Sequence, residues 1–347
     1  MSGDERKGYP LRDEYLARQR GFARLQRLEE SSVYVSKAVE AYAHRLFDYT
    51  RRSPHFEVQC RDQAAAQWVH DNCLERWRDD DGYSRIGELT EVLRSLVHAV
   101  CTFGRSFCAI DFADSADGYL RFGKPRWLAV ETVTPRFRFG QVTGFVQQYT
   151  RHAEDEEAKG TRFEFARDEV LWLQWPQTLP PGRMGASPLT RVLKDAGKAD
   201  EFLGWMNLHA YAGTHPENHR FEVERARYGS FDREKQRHER RVARVLSRMG
   251  VPQIFWLGTQ RPMTDYFLTW ELCEFGKRVS YLREYLLDEF NRQVLGAWAR
   301  RNGLSEMPVI RTVGYPSPDD WQRIFAEYTR GERTTESVSN ILHHGLA

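Results

Sequence analysis

Apolar residues recur at three- and four-residue intervals through the first third of the chain, a spacing that predicts helices. Segments 11–28 and 32–50 carry it, with Val35, Val39, Tyr42, Leu46 and Tyr49 aligned on one face. Pro54 closes this part, because the residue before a proline is pushed out of helical geometry. A second helix is expected over 62–77, with Ala66, Val69, Cys73 and Trp77 on one side and the turn Asp79-Asp80-Asp81-Gly82 after it. A third runs from Ser84, turns Leu89, Leu93, Leu96, Val97 and Val100 inward, and stops at Gly104.

The pattern then changes to period two. Residues 105–112 (RSFCAIDF) alternate, and strand-like runs follow at 126–131, 136–139, 144–150, 161–165 and 169–175. Turn residues separate them, including the acidic Glu154-Asp155-Glu156-Glu157, which reads as a solvated hairpin tip. Helical spacing returns from Ser187-Pro188-Leu189 to about Ala212. Beyond it lie an irregular stretch with a strand at 220–225, a basic helix at 232–249, and a short buried strand at 251–258. The longest helix is expected from Thr264 to Asn302, ended by Gly303. Its stripe is Leu272, Gly276, Val279, Leu282, Leu286, Phe290, Val294 and Trp298. At 1.5 Å rise per residue it would extend more than about 50 Å, the scale of a bundle or a multi-subunit assembly. One strand (308–313) and helices at 317–330 and 334–344 complete the chain. The fold class is therefore α+β.

Composition narrows the function classes. The longest apolar run falls short of the roughly 18 residues that a membrane helix needs, and the first twenty residues lack the apolar run of a secretory signal. Ten Trp, 15 Tyr and 20 Phe provide material for cores and interfaces. Five cysteines without CxxC pairing read as reduced, buried thiols. The 51 basic residues nearly cancel the 49 acidic ones, but 43 of the 51 are arginine, the residue suited to bidentate ion pairs and phosphate contacts.

Enzyme signatures are absent from the sequence: no phosphate loop, dinucleotide-binding glycine motif, HExxH or nucleophile elbow occurs. His209, His215 and His219, with Glu217, are the best metal candidates, yet no cysteine supports them and they read as polar loop histidines. His343-His344 is a still weaker ligand pair. Cys101 and Cys108 read as packing residues. No catalytic residue, metal site or cofactor is expected.

The basic helix is the most uneven charge feature. From Arg233 to Arg248 it carries seven cations against two acids, with Arg237, Arg240, Arg241 and Arg244 at its centre. Two readings stand: phosphate contact with nucleic acid, or pairing with acids of a neighbouring subunit across a solvated face. Val242, Val245 and Leu246 show that one side packs on protein. A DNA-binding or nucleic-acid-processing protein using residues 233–248 is the corresponding alternative function.

Segment 167–189 joins an apolar strand, D-E-V-L-W-L, through a Pro- and Gly-rich loop to the helix opening Gly185-Ala186-Ser187-Pro188-Leu189, where Ser187 is suited to cap and Pro188 to the first helical position. This strand–loop–helix resembles the portal (head–tail connector) proteins of tailed bacteriophages. The strand 104–112 (GRSFCAIDF), the long helix, and the ending DDWQRIFAEYTRGERTTESVSNILHHGL with its Gly331-Glu332-Arg333-Thr334 turn are similar in order to that family.

The resemblance implies a helical and β-rich wing over 1–186, a first stem helix at 187–212 and a small α/β clip at 213–258. It further implies a second stem helix at 259–303, a wing return at 304–330 and a short helical crown at 331–347. It also implies a homo-oligomeric ring of twelve subunits at one capsid vertex of a virion assembled in the host cytoplasm. Double-stranded DNA would pass through its channel, and the large terminase subunit, the major capsid protein and a head–tail adaptor would dock on it, with no membrane partner. Arg261, in the loop before the long helix, is placed near the channel on this reading.

Overall fold

The structure is a computed structural model describing residues 12–46, 55–74, 77–78, 85–86, 89–114, 118–123, 125–139, 141–148, 162–175, 187–192, 195–199, 201, 231–252 and 264–346. The turns at 53–54 and 79–82, the acidic run, the strand expected at 220–225, residues 253–258 of the strand expected at 251–258, His209, His215, His219 and Arg261 fall outside the described residues; Val251 and Pro252 are described and lie in no strand.

The helices are α1 (Arg12–Ser31), α2 (Val33–Leu46), α3 (Gln63–Val69), α4 (Leu89–Phe103) and α5 (Phe231–Met249). They continue with α6 (Asp265–Phe290), α7 (Gly296–Arg301), α8 (Pro318–Thr329) and α9 (Thr335–His344). The strands are β1 (His55–Gln59), β2 (Trp77–Arg78), β3 (Arg85–Ile86), β4 (Arg105–Ala109), β5 (Phe112–Ala113) and β6 (Arg121–Phe122). Then follow β7 (Arg126–Leu128), β8 (Val133–Arg138), β9 (Gln141–Gln148), β10 (Arg162–Ala166), β11 (Val170–Gln174) and β12 (Val309–Val313). Two three-stranded antiparallel sheets form, β11-β4-β7 and β10-β9-β8, together with a β1–β12 pair from opposite ends of the chain. The mixed α+β class holds.

Several boundaries differ from the periodicity, each for a physical reason. The helix expected over 62–77 is capped by the Asp62 carboxylate, which accepts from the Ala64 and Ala65 N–H groups at 3.0 and 3.1 Å. Val69 and Cys73 are buried as expected, joined by Ala65 and Trp68, while Ala66 is only half-buried, and the helix widens into a π-turn at His70–Leu74. Trp77 falls in β2, not on the helix. The helix placed from Ser84 begins at Leu89, because residues 85–86 pair with β2. It ends at Gly104, whose φ of 78° is the left-handed geometry that glycine tolerates.

The 105–112 run is two strands, and all five residues of β4 are buried. The alternation is real, but both faces are covered. Cys108 and, on β11, Leu171 and Leu173 enter the main helical core, whereas Phe107, Ala109, Val170 and Trp172 enter a second core against β8 and β9. The run at 126–131 stops at Leu128, while those at 136–139 and 144–150 begin earlier, at Val133 and Gln141. The helix expected from 188 opens as a 3-10 turn, Pro188–Arg191; the Ser187 hydroxyl accepts from the Leu189 N–H at 3.0 Å and donates to the Thr102 carbonyl at 2.5 Å.

The long helix is present, and every residue of its expected stripe is buried. Gly276 is needed there because a Cβ would collide with the Trp321 indole, whose N–H donates to Ser280 Oγ at 2.9 Å. It is not one continuous α-helix: a π-turn at Asn291–Leu295 separates α6 from α7. That turn aims two buried amides at strand backbone. Asn291 donates to the Ile310 carbonyl and accepts from the Ile310 N–H, both at 2.9 Å. Gln293 donates to the Trp172 carbonyl at 2.8 Å and accepts from the Trp172 N–H at 2.9 Å.

Two further contacts anchor α6–α7. Arg283, only 4% exposed, caps α2 by donating to the Leu46 and Arg45 carbonyls at 2.7 and 3.0 Å, with its guanidinium 4.0 Å from the Tyr315 ring. Burial lowers its pKa to about 10, which leaves it charged at neutral pH. Trp298 is fully buried, stacks on Trp68 at 5.1 Å and donates to the Leu120 carbonyl at 2.7 Å.

Trp298→Ala should lower unfolding stability by about 3–5 kcal/mol in chemical denaturation, since a large aromatic leaves a cavity. Asn291→Leu, which leaves both Ile310 backbone groups unpaired, should cost about 1–3 kcal/mol for each in the same assay.

Candidate functional site

The basic helix α5 is docked along one face. Val242, Val245, Leu246 and Met249 are buried in the main core beside α2. Gly250, at φ 75°, ends it: its N–H reaches the Ser247 carbonyl at 3.0 Å and the Val251 N–H reaches Leu246 at 2.9 Å. This is the left-handed closure that consumes the last carbonyls of a helix. Two side chains complete the dock, the Tyr42 hydroxyl donating to the Met249 carbonyl at 2.7 Å and Arg278 to the Gly250 carbonyl at 2.9 Å.

At about 100° per residue, Arg233, Arg237, Arg240, Arg241, Arg244 and Arg248 share an arc of about 100° on the side away from that core, along about 20 Å of helix. Arg237, Arg240 and Arg244 are exposed and Arg241 is half-buried. The stripe is divided along its length. Its C-terminal end is engaged within the chain, because Asp195 accepts from Arg244 at 3.2 Å and from Arg248 at 2.8 Å while its own side chain is 15% exposed. Arg244, expected to face DNA or a partner, therefore already holds an acid of its own chain. Exposed pairs of this kind contribute at most about 1 kcal/mol each, so the clamp orients Arg244 and Arg248 more than it stabilises the fold. Nothing around Asp195 in the sequence distinguishes it from other acids. At the N-terminal end, Arg233, Arg237 and Arg240 are exposed on the side away from the core.

His238 pins the middle of the helix. Its ring nitrogen lies 2.9 Å from the Tyr34 hydroxyl, and the side chain is buried. Burial first, and the neighbouring Arg241 charge second, hold its pKa below the ordinary 6.5, against a smaller opposing pull from Glu239.

The other sequence candidates carry little chemistry. Among the described residues no group of three or more His, Cys, Asp or Glu is placed to hold a metal ion. His343 meets Arg45 at 3.2 Å. Cys101 and Cys108 are buried, and burial raises both thiols, Cys108 to about 12, so neither is a nucleophile at neutral pH. No helix among the described residues is long and apolar enough to cross a membrane.

As pH falls, the unfolded chain protonates at His238 before the folded one does. The stabilisation from the neutral, docked ring is thus complete above about pH 6.5 and is lost as pH drops below it. Thermal melts between pH 7.5 and 5.5 should show a falling midpoint, and His238→Gln should flatten that slope.

No family model and no curated protein matches the sequence. Solved structures do match in three dimensions. A chain from the neck of a native gene transfer agent (GTA) particle, computed with C12 symmetry, superposes with a TM-score of 0.55 over 93% of each chain at 10% identity. A chain from the virion of a native GTA particle gives 0.55, at 11% identity, over 94% of this chain and 93% of that one. A chain from the neck of an empty GTA particle, computed with C6 symmetry, also gives 0.55 at 11% identity, covering 91% and 89%. Across nearly its whole length, this chain shares the fold of chains from the neck and virion of gene transfer agent particles.

Proposed function

We propose that this chain is a portal subunit: one copy of a homo-oligomeric ring at a capsid vertex of a phage-like virion, forming the channel through which double-stranded DNA enters and leaves. The observation that carries this reading is the end-to-end likeness, over 93% of both chains, to a neck chain in a particle computed with C12 symmetry. A ring of twelve is the corresponding expectation. The long helix would be the second stem, running from a clip at 213–258 into a wing, and α9 would be a short crown. Such a ring would seat the large terminase subunit, the major capsid protein and a head–tail adaptor, and would require no active site or cofactor. DNA in transit would be met by sequence-independent contacts, weak enough for sliding.

The arginine stripe supports a second reading, a DNA-binding protein that holds phosphates with residues 233–248. Six arginines on one face is the specific observation in its favour.

Multi-angle light scattering on a sizing column, with electron micrographs of the peak, separates the two. A closed ring is expected. A stable monomer at high concentration that binds duplex DNA would instead establish the second reading. There the Arg237→Glu, Arg240→Glu double variant should flatten the salt dependence by about one unit of slope for each phosphate that is no longer neutralised.

A further inference from the structure

The side of the β-rich module that meets the long helix holds a cleft of about 420 Å³. Val142 on β9, Trp172 and Gln174 on β11, Arg167 just before β11, and Arg292 with Glu289 on the α6–α7 segment line it. Arg167 is the unusual group. It is half-buried, and its hydrogen bond goes to the neutral Gln293 amide at 3.2 Å, not to a carboxylate. Burial, then the nearby Arg292 and Arg300 charges, lower its pKa. The two acids that oppose them are already engaged. Glu289 accepts from Arg292 and Gln293, and Asp168 pairs with Arg301 at 2.9 Å. Trp172 adds a buried indole N–H with no partner among the described residues. A partly desolvated guanidinium without its own acid is costly, and a carboxylate arriving from outside relieves that cost.

We propose that this cleft receives the acidic run Glu154–Glu157 of a second copy of the chain, an inference that rests on the ring reading above. Charge complementarity names the occupant: the run carries four consecutive carboxylates, and the cleft is lined by two arginines against the single Glu289, a net positive charge. Chain reach makes it a second copy. The run lies between Gln148, the end of β9, and Arg162, the start of β10, which pair with each other. The cleft lies at the other end of β9, and from Val142 to Gln148 is about 20 Å at about 3.3 Å per residue. Glu154 is six residues beyond Gln148, about 20 Å only if fully stretched. To fill its own cleft a chain would have to double straight back along β9 with both arms, of about six to eight residues each, largely extended. A head-to-tail neighbour meets no such limit, and contacts of that kind close rings.

The test uses two differently tagged full-length populations, Arg292→Cys and Glu156→Cys, mixed, assembled and treated with a short bis-maleimide. A cross-linked band carrying both tags is expected. In parallel, Arg292→Glu and a variant with Lys at positions 154–157 should each weaken self-association about tenfold in sedimentation velocity, the effect of removing a single well-placed charge pair. Combining both reversals in one chain should restore it to within about threefold of wild type. Unchanged melting temperature in Arg292→Glu, an exposed position, confirms that folding is intact. Wild-type assembly in both reversals overturns the inference while leaving the ring reading in place. So does cross-linking confined to a single chain carrying both cysteines. So does binding of inorganic phosphate that Arg292→Glu abolishes without any change in assembly, which would make the cleft a small-anion site. A wild-type chain that never assembles overturns the ring reading itself.

Discussion

The π-turn at Asn291–Leu295 is the constraint on which the rest of the structure depends. It presents two side-chain amides to two separate strands, and each amide pairs with both the N–H and the carbonyl of one strand residue. Each behaves as a one-residue surrogate strand, covering backbone that would otherwise be buried unpaired. A regular α-helix would rotate one of the two away. The longest helix is thus tied at a single turn to β12 and to β11, and through β11 to the sheet that divides the two cores.

Arginine plays a related part at helix ends. Arg283 holds the last carbonyls of α2, Arg278 holds the carbonyl of Gly250 after α5, and Arg248 and Arg244 share Asp195. A planar fork that stays charged when buried suits such carbonyl-capping positions better than a lysine ammonium. The excess of arginine over lysine therefore finds part of its explanation inside the chain, as mortar between helices, before any external partner is invoked.

The periodic elements were legible in the sequence: the stripe from Leu272 to Trp298, the stop at Gly303, the Ser187 cap, and the two C-terminal helices emerge where spacing places them. Features set by distant partners were not. Strand His55–Gln59 has too few apolar residues to announce itself and exists because β12 lies beside it. The π-turns preserve helical composition and betray nothing locally. The alternation in β4 does not announce that both of its faces are covered, one by each core. The arginine stripe could be read from spacing alone, but its division by Asp195 could not, because one acid about fifty residues upstream carries no local signal. Arg167 and its cleft were missed for the same reason: that its nearby acids are bonded to other cations is a fact of three dimensions.

The pairing of β1 with β12 has a temporal side. At ribosomal rates of about 5–20 residues per second, β1 emerges on the order of tens of seconds before its partner. Closing so long a loop brings an entropic penalty that local helices avoid. Arg283, which caps α2, likewise follows that helix by more than two hundred residues, so the main core stands open on that side until α6 arrives. The surface that β1 and β12 build together is therefore completed only once β12 has been made, however early the helices between them fold.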